Sequence, residues 1–87
     1  MRVSELLSIP AVKILLYLHS KGQVRHADLE KMIASRGTLA SNLNDLLDEG
    51  LVARKVISAK PIQSNYSLTE KGRNVVEQLA ELERLLK

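Results

Sequence analysis

At Gly50 the chain changes its hydrophobic period, and that change limits the possible folds more than any other feature. Upstream, "SRGTLASNLNDLLDEG" (35–50) repeats leucine at helical spacing, with Leu39, Leu43, Leu46 and Leu47 on one face. Ser35 is a good N-cap, and Gly50 supplies the left-handed residue that closes a helix. Downstream, "LVARKVIS" and "IQSNYSL" alternate or are β-branched and predict two strands. "AKP" forms the turn between them, where Pro61 suits a strand end. "TEKGRNVVEQLAELERLLK" then restarts a helix, with Thr69 as N-cap and Glu70 at the positive end of the dipole. Helix, hairpin and long helix follow one another without a linker.

The first half supplies two more helices. "SIPAVKILLYLHSKG" predicts one with Ser8 as N-cap, Pro10 in the first turn and Gly22 as the stop. Val12, Ile14, Leu15 and Leu18 form its apolar stripe, and Leu16 and Tyr17 widen that stripe beyond what one core needs. "QVR" reads as a short extended piece with Val24 inward. "HADLEKMIA" reads as a short helix, with Leu29, Met32 and Ile33 at helical spacing. Arg25 and His26 stand where an N-cap would be better, and Asp28 in the first turn offsets this. The expectation is an α+β, mostly helical chain forming a single domain over residues 1–87. Two helices joined by a tight turn and followed by a hairpin make a helix-turn-helix with a wing.

The last helix, about 69–87, carries a second pattern. Val75, Leu79, Leu82 and Leu86 step at the spacing of a coiled-coil seam, flanked by Val76 and Leu85. An exposed stripe of this kind is a liability, so a homodimer is expected. This helix would pair antiparallel with its mate, and Leu16 and Tyr17 would contribute. Two-fold symmetry then implies a roughly palindromic target.

Composition removes several classes of function. There is no Cys, so disulfides and thiolate metal sites are excluded, and His19 and His26 have no evident partners for a zinc cluster. No Gly-rich phosphate loop or nucleophile elbow appears, and the carboxylates are scattered, so neither enzyme activity nor a cofactor or metal is expected. No apolar run approaches a membrane span, and "MRVSELLSIP" is a poor signal peptide, which points to the cytoplasm. Tyr17 and Tyr66 are the only aromatics, too few for single-strand stacking. An effector pocket, if any, would have to lie at the dimer interface. The net charge of +3 permits nucleic acid as a partner. Residues 37–50 hold Asp45, Asp48 and Glu49 and no base, whereas residues 51–73 hold Arg54, Lys55, Lys60, Lys71 and Arg73 against Glu70. Positive charge brackets an acidic helix.

"RGTLASNLNDLLDEGLVARKV" and "YSLTEKGRNVVE" resemble winged-helix transcription regulators of the MarR, PadR and ArsR kind, especially the small archaeal ones. "SIPAVKILLYLHSKG" is similar to their first helix, so the resemblance covers nearly the whole chain. The paired "GLV" and "LTEKG" are its most specific part. The resemblance implies double-stranded DNA as the partner, with the helix of about 35–49 in the major groove and the wing of about 51–68 on phosphates or the minor groove. The N-terminal part of such a helix reaches the bases, which selects Arg36, Gly37, Thr38, Ser41 and Asn42. The wing offers Arg54, Lys55, Lys60, Gln63 and Asn65, with Arg25, Lys31, Lys71 and Arg73 as lesser backbone contacts. The chain departs from the family pattern in a turn before Thr38 about one residue shorter, in Ser41 where Arg is frequent, and in Asp45 where Lys is common. The alternative is a protein-interaction winged helix that docks a partner on the acidic face of the third helix.

Overall fold

The computed structural model describes residues 9–59 and 62–85, so Ser8, Lys60, Pro61 and Leu86 lie outside the described residues. Its elements are α1 (Pro10–Lys21), β1 (Gln23–Arg25), α2 (His26–Met32), α3 (Arg36–Asp48), β2 (Val52–Ala59), β3 (Ile62–Leu68) and α4 (Glu70–Leu85). The described residues thus form four helices and a three-stranded antiparallel sheet in the order β1-β3-β2. This is the winged helix-turn-helix architecture that the order of periods predicts.

Each boundary has a local cause. Helix α1 starts on Pro10, and its N-cap is extended Ile9, with no side-chain cap bond, where the sequence predicts Ser8. Gly22 ends it at φ 85°, in the left-handed region, and its N–H donates to Leu18 O at 2.7 Å. Helix α2 has a better start than the sequence suggests. Asp28 Oδ2 accepts from the Arg25 N–H at 3.2 Å, satisfying a donor that would otherwise be orphaned. Ser35 caps α3 as expected, its Oγ accepting from Thr38 N–H at 3.2 Å.

The end of α3 explains the "GLV" and "LTEKG" pair. Gly50 lies at φ 73°, and two bonds close the turn in the Schellman pattern: Gly50 N–H to Leu47 O at 3.1 Å and Leu51 N–H to Leu46 O at 3.0 Å. The start of α4 then binds to this turn. Thr69 N–H donates to Leu51 O at 3.1 Å, and Thr69 Oγ1 donates to Gly50 O at 2.6 Å. The same hydroxyl caps α4 by accepting from Gly72 N–H at 3.0 Å. Lys71 Nζ donates to Glu49 O at 2.9 Å, the carbonyl end of α3. Gly72 is buried against Leu51 so closely that a Cβ would stand 1.9 Å from the Leu51 carbonyl oxygen. Residues of the two motifs therefore form one junction, here called the latch, which locks the exit of α3 to the entry of α4.

The core lies between the helices and one face of the sheet. Ile14, Leu15 and Leu18 of α1, Leu29 and Ile33 around α2, and Leu39, Leu43 and Leu46 of α3 meet Val24, Val52 and Tyr66 of the sheet. Helix α4 contributes Val76, which is wholly buried, with half-buried Leu79 packed beside it. The contact with the core is thus centred on Val76, read from the sequence as only a flank of the seam. Val75 is half-buried, and Leu82 and Leu85 are exposed at 37% and 70%. At about 24 Å long, α4 outruns the surface it covers, and its last turn presents apolar side chains to solvent.

Candidate nucleic-acid interface

The leucine stripe buries one side of α3 and so determines what the other side shows. With Leu39, Leu43 and Leu46 in the core, Arg36, Gly37, Ser41, Asn44 and Asp45 are exposed along the opposite face, with Thr38 half-buried beside them. Asn42 is also half-buried, and its Nδ2 donates to Thr38 O at 2.7 Å. One amide hydrogen of Asn42 is therefore already engaged, while the carboxamide oxygen remains an acceptor. The start of α3 joins a cationic side chain, a hydroxyl and the open main chain at Gly37 to the positive end of the helix dipole.

The hairpin residues divide between two faces. In the sheet register, Lys55 of β2 and Arg25 of β1 both stand directly opposite Asn65 of β3. Directly opposed residues share a face, so Arg25, Asn65 and Lys55 form a row across all three strands, with Gln63 on the same face two residues along. Asn65 Oδ1 is a buried acceptor with no hydrogen-bond partner, set between these cations. Arg54 belongs to the other face, opposite Tyr66, and its Nε donates to Ser64 Oγ at 3.1 Å. The structure therefore joins Lys55, Gln63 and Asn65 and separates Arg54 from them. Lys60 lies outside the described residues.

Two features were less legible. Arg25, ranked low from sequence, gains its place in the row only through the strand register. His26 has a neighbour on its own helix that the sequence reading did not name: its Nδ1 lies 2.7 Å from Glu30 Oε1, and its ring centroid lies 5.9 Å from that of Tyr66. The i,i+4 spacing of His26 and Glu30 was the available signal. These residues border a shallow cleft of about 280 Å³ between α2 and β3, with Arg25, Ala27, Gln63 and Ser64 completing its lining. Among the described residues no cluster of His, Asp or Glu could hold a metal ion, and no helix is long and apolar enough to cross a membrane.

The acidic end of α3 sits on the latch. Asp45, Asp48 and Glu49 are exposed, and Lys71 meets the main chain of Glu49, not its carboxylate. Lys71, a lesser candidate for phosphate contact, is thus occupied in closing the helix.

Comparison with known proteins agrees with this geometry. The HxlR-like helix-turn-helix family matches residues 11–87. The chain belongs to that family. Its members are helix-turn-helix transcription regulators that bind DNA, not enzymes. The HTH-type transcriptional regulator YvaP of Bacillus subtilis is 30% identical to this HxlR-like protein over 82 residues, covering 92% of the present chain and 76% of YvaP. Among solved structures, a MarR family transcriptional regulator from Silicibacter pomeroyi superposes with a TM-score of 0.77 at 26% identity, over 95% of this chain and 56% of that one. A mutant MarR from E. coli, solved in complex with operator DNA, shares the fold with a TM-score of 0.73 at 24% identity, over 92% of this chain and 59% of the MarR chain.

Proposed function

We propose that this HxlR-like protein is a cytoplasmic homodimer that binds double-stranded DNA with sequence preference and regulates transcription. The start of α3 enters the major groove, where Arg36, Gly37, Thr38, Ser41 and Asn42 face base edges and phosphates. Arg54, Lys55, Lys60, Gln63 and Asn65 of the hairpin meet phosphates or the minor groove, and Arg25 extends that contact. The carrying observation is the exposed polar face at the start of α3, held outward by the buried leucines on its other side. The MarR structure with operator DNA supports the reading by its shared fold. The exposed Leu82 and Leu85 support pairing through α4; Val75, Leu79 and Leu86 would complete the seam, and Leu16 and Tyr17 of α1, half-buried in the single chain, would contribute to it.

A mobility-shift titration on mixed-sequence duplex DNA at two salt concentrations tests the proposal. With about six phosphates neutralised per subunit, and so about twelve per dimer, log K should fall against log salt with a slope of about −11. Lys55→Glu with Lys60→Glu should weaken binding to every sequence; unchanged binding would remove the wing from the interface. A second reading has its own observation, since Asp45, Asp48 and Glu49 expose three carboxylates on one end of α3. A protein-docking role there predicts negligible duplex affinity even at low salt, and capture of a basic partner that is lost with Asp45→Lys.

A further inference from the structure

The hairpin ends differently from the way it begins. Val56 stands opposite Ser64, but the next paired residues are Ser58 and Gln63, so Ile57 is an extra residue in a β-bulge. A bulge bends its strand and re-aims the neighbouring side chains. Val56 and Ile57 are 55% and 52% exposed, two of the four large hydrophobic residues exposed among those described. The other two, Leu82 and Leu85, lie at the end of α4. Neither Val56 nor Ile57 belongs to the core cluster. Arg54 and Lys55 precede them, Lys60 follows, and residues 51–69 contain no Asp or Glu.

Two exposed aliphatic side chains within a wholly cationic hairpin suit a polyanion that also offers apolar surface. Duplex DNA does so in the minor groove, along its sugar walls and the edges of A·T pairs. Guanine differs there by its 2-amino donor. Against Val56 and Ile57 that donor would lose water and gain no acceptor, which is unfavourable. We infer that Val56 and Ile57 are a non-ionic reading element of the wing, packing into the minor groove and biasing the site beneath it toward A·T pairs. The inference rests on the DNA-binding reading above and adds to it a specificity that the cationic row cannot supply, because phosphates are the same in every sequence.

Replacing guanine by inosine removes the 2-amino group and leaves the major-groove face unchanged, so it isolates the proposed contact. The full chain is titrated against a mixed-sequence duplex and against the same duplex with inosine for guanine. Wild type should bind the inosine duplex several-fold more tightly. Val56→Thr with Ile57→Thr keeps both residues β-branched and so keeps strand propensity. This variant should bind roughly tenfold more weakly than wild type and lose the inosine preference. Its salt slope should stay the same, because no charge has been removed. Lys55→Gln should do the reverse, lowering the slope by about one per subunit and keeping the preference. Equal wild-type affinity for the two duplexes overturns the inference even if the variant misfolds. So does a preference that persists in the folded variant. Sedimentation that shows the variant losing a self-contact made by wild type also overturns it, in favour of hairpin-to-hairpin association. Wild type that binds neither duplex at low salt overturns the DNA-binding reading itself, which separates the two failures.

Discussion

Replacing Gly72 by alanine tests the latch between α3 and α4. On helix propensity alone the change would stabilise by up to about 1 kcal/mol. The structure predicts the opposite sign. The added Cβ would lie 1.9 Å from the Leu51 oxygen and 2.9 Å from its carbonyl carbon. Both are main-chain atoms, so no side-chain rotation relieves the clash, and the junction must open by about 1.5 Å to restore an ordinary contact. Three hydrogen bonds cross that junction: Thr69 N–H to Leu51 O, Thr69 Oγ1 to Gly50 O, and Lys71 Nζ to Glu49 O. At about 1 kcal/mol net for each, their loss outweighs the propensity gain and leaves a destabilisation of about 2–3 kcal/mol. In a domain of this size that is a fall in melting temperature of about 10–20 °C. Thermal melts followed by circular dichroism measure it, with urea unfolding as a second readout. Gly37→Ala is the matched control, because nothing lies within 4 Å of its Cβ position and the residue is helical. There the change should be neutral or stabilising by less than about 1 kcal/mol. A melting temperature unchanged in Gly72→Ala, or shifts of the same sign in both variants, would refute the latch.

Other substitutions probe neighbouring parts of the argument. Ser35→Ala removes the acceptor of the Thr38 N–H and should cost about 1 kcal/mol by urea unfolding; no change would mean that water caps α3 equally well. Gly50→Ala forces a Cβ into the left-handed region with open space around it, so the cost is backbone strain alone, about 1 kcal/mol. Its effect in the melts should therefore be smaller than that of Gly72→Ala. Leu79→Glu with Leu82→Glu should halve the sedimenting mass if α4 forms the dimer seam; equal masses for variant and wild type would dismiss the seam.

Most of the architecture was legible because local chemistry and tertiary contacts point the same way. Ser35, Gly22, Gly50 and Thr69 punctuate the chain where their side chains or φ values demand, and the helical and strand periods place nearly every core residue. What was not legible depends on register. The row of Arg25, Asn65 and Lys55 exists only because β3 lies between β1 and β2, a strand order that no pattern within β1 reveals. Arg54 and Lys55 point to opposite faces by strand alternation alone, but that Lys55 and not Arg54 joins the row follows from its pairing with Asn65. Ile57 is subtler: in a regular strand it would alternate with Val56, and only the bulge leaves it unopposed. In α4 the regular repeat is carried by Val75, Leu79 and Leu82, whereas the residue that the domain core takes is Val76, which that repeat does not single out. A helix that serves two apolar surfaces carries two overlapping stripes, and the more regular one need not be the more buried.

The charge pattern of α3 gains its meaning from the latch. Helices favour acids at the start and bases at the end, yet α3 has no acidic residue in its first turn and no basic residue in its last. Arg36 stands at the positive end of the dipole, and Asp48 and Glu49 stand at the negative end. Isolated, this helix would be destabilised at both ends. Lys71, from another element, donates to Glu49 O and offsets part of the cost at the C-terminal end. The reversed pattern is therefore poor for the helix but consistent for the proposed complex, in which charge and dipole together make the N-terminal end attractive to phosphate and the C-terminal end repulsive. Such a helix is oriented by the DNA field as well as by packing: tip-first entry is favoured and lying flat in the groove is penalised. Asp45, an exposed carboxylate midway along α3, then limits how deeply the helix can enter, and more of the affinity must come from the cationic hairpin. Asp45→Asn should accordingly strengthen binding to all duplexes by a few-fold, with a gain that shrinks as salt rises. A gain independent of salt would mean that Asp45 acts by shape and not by charge.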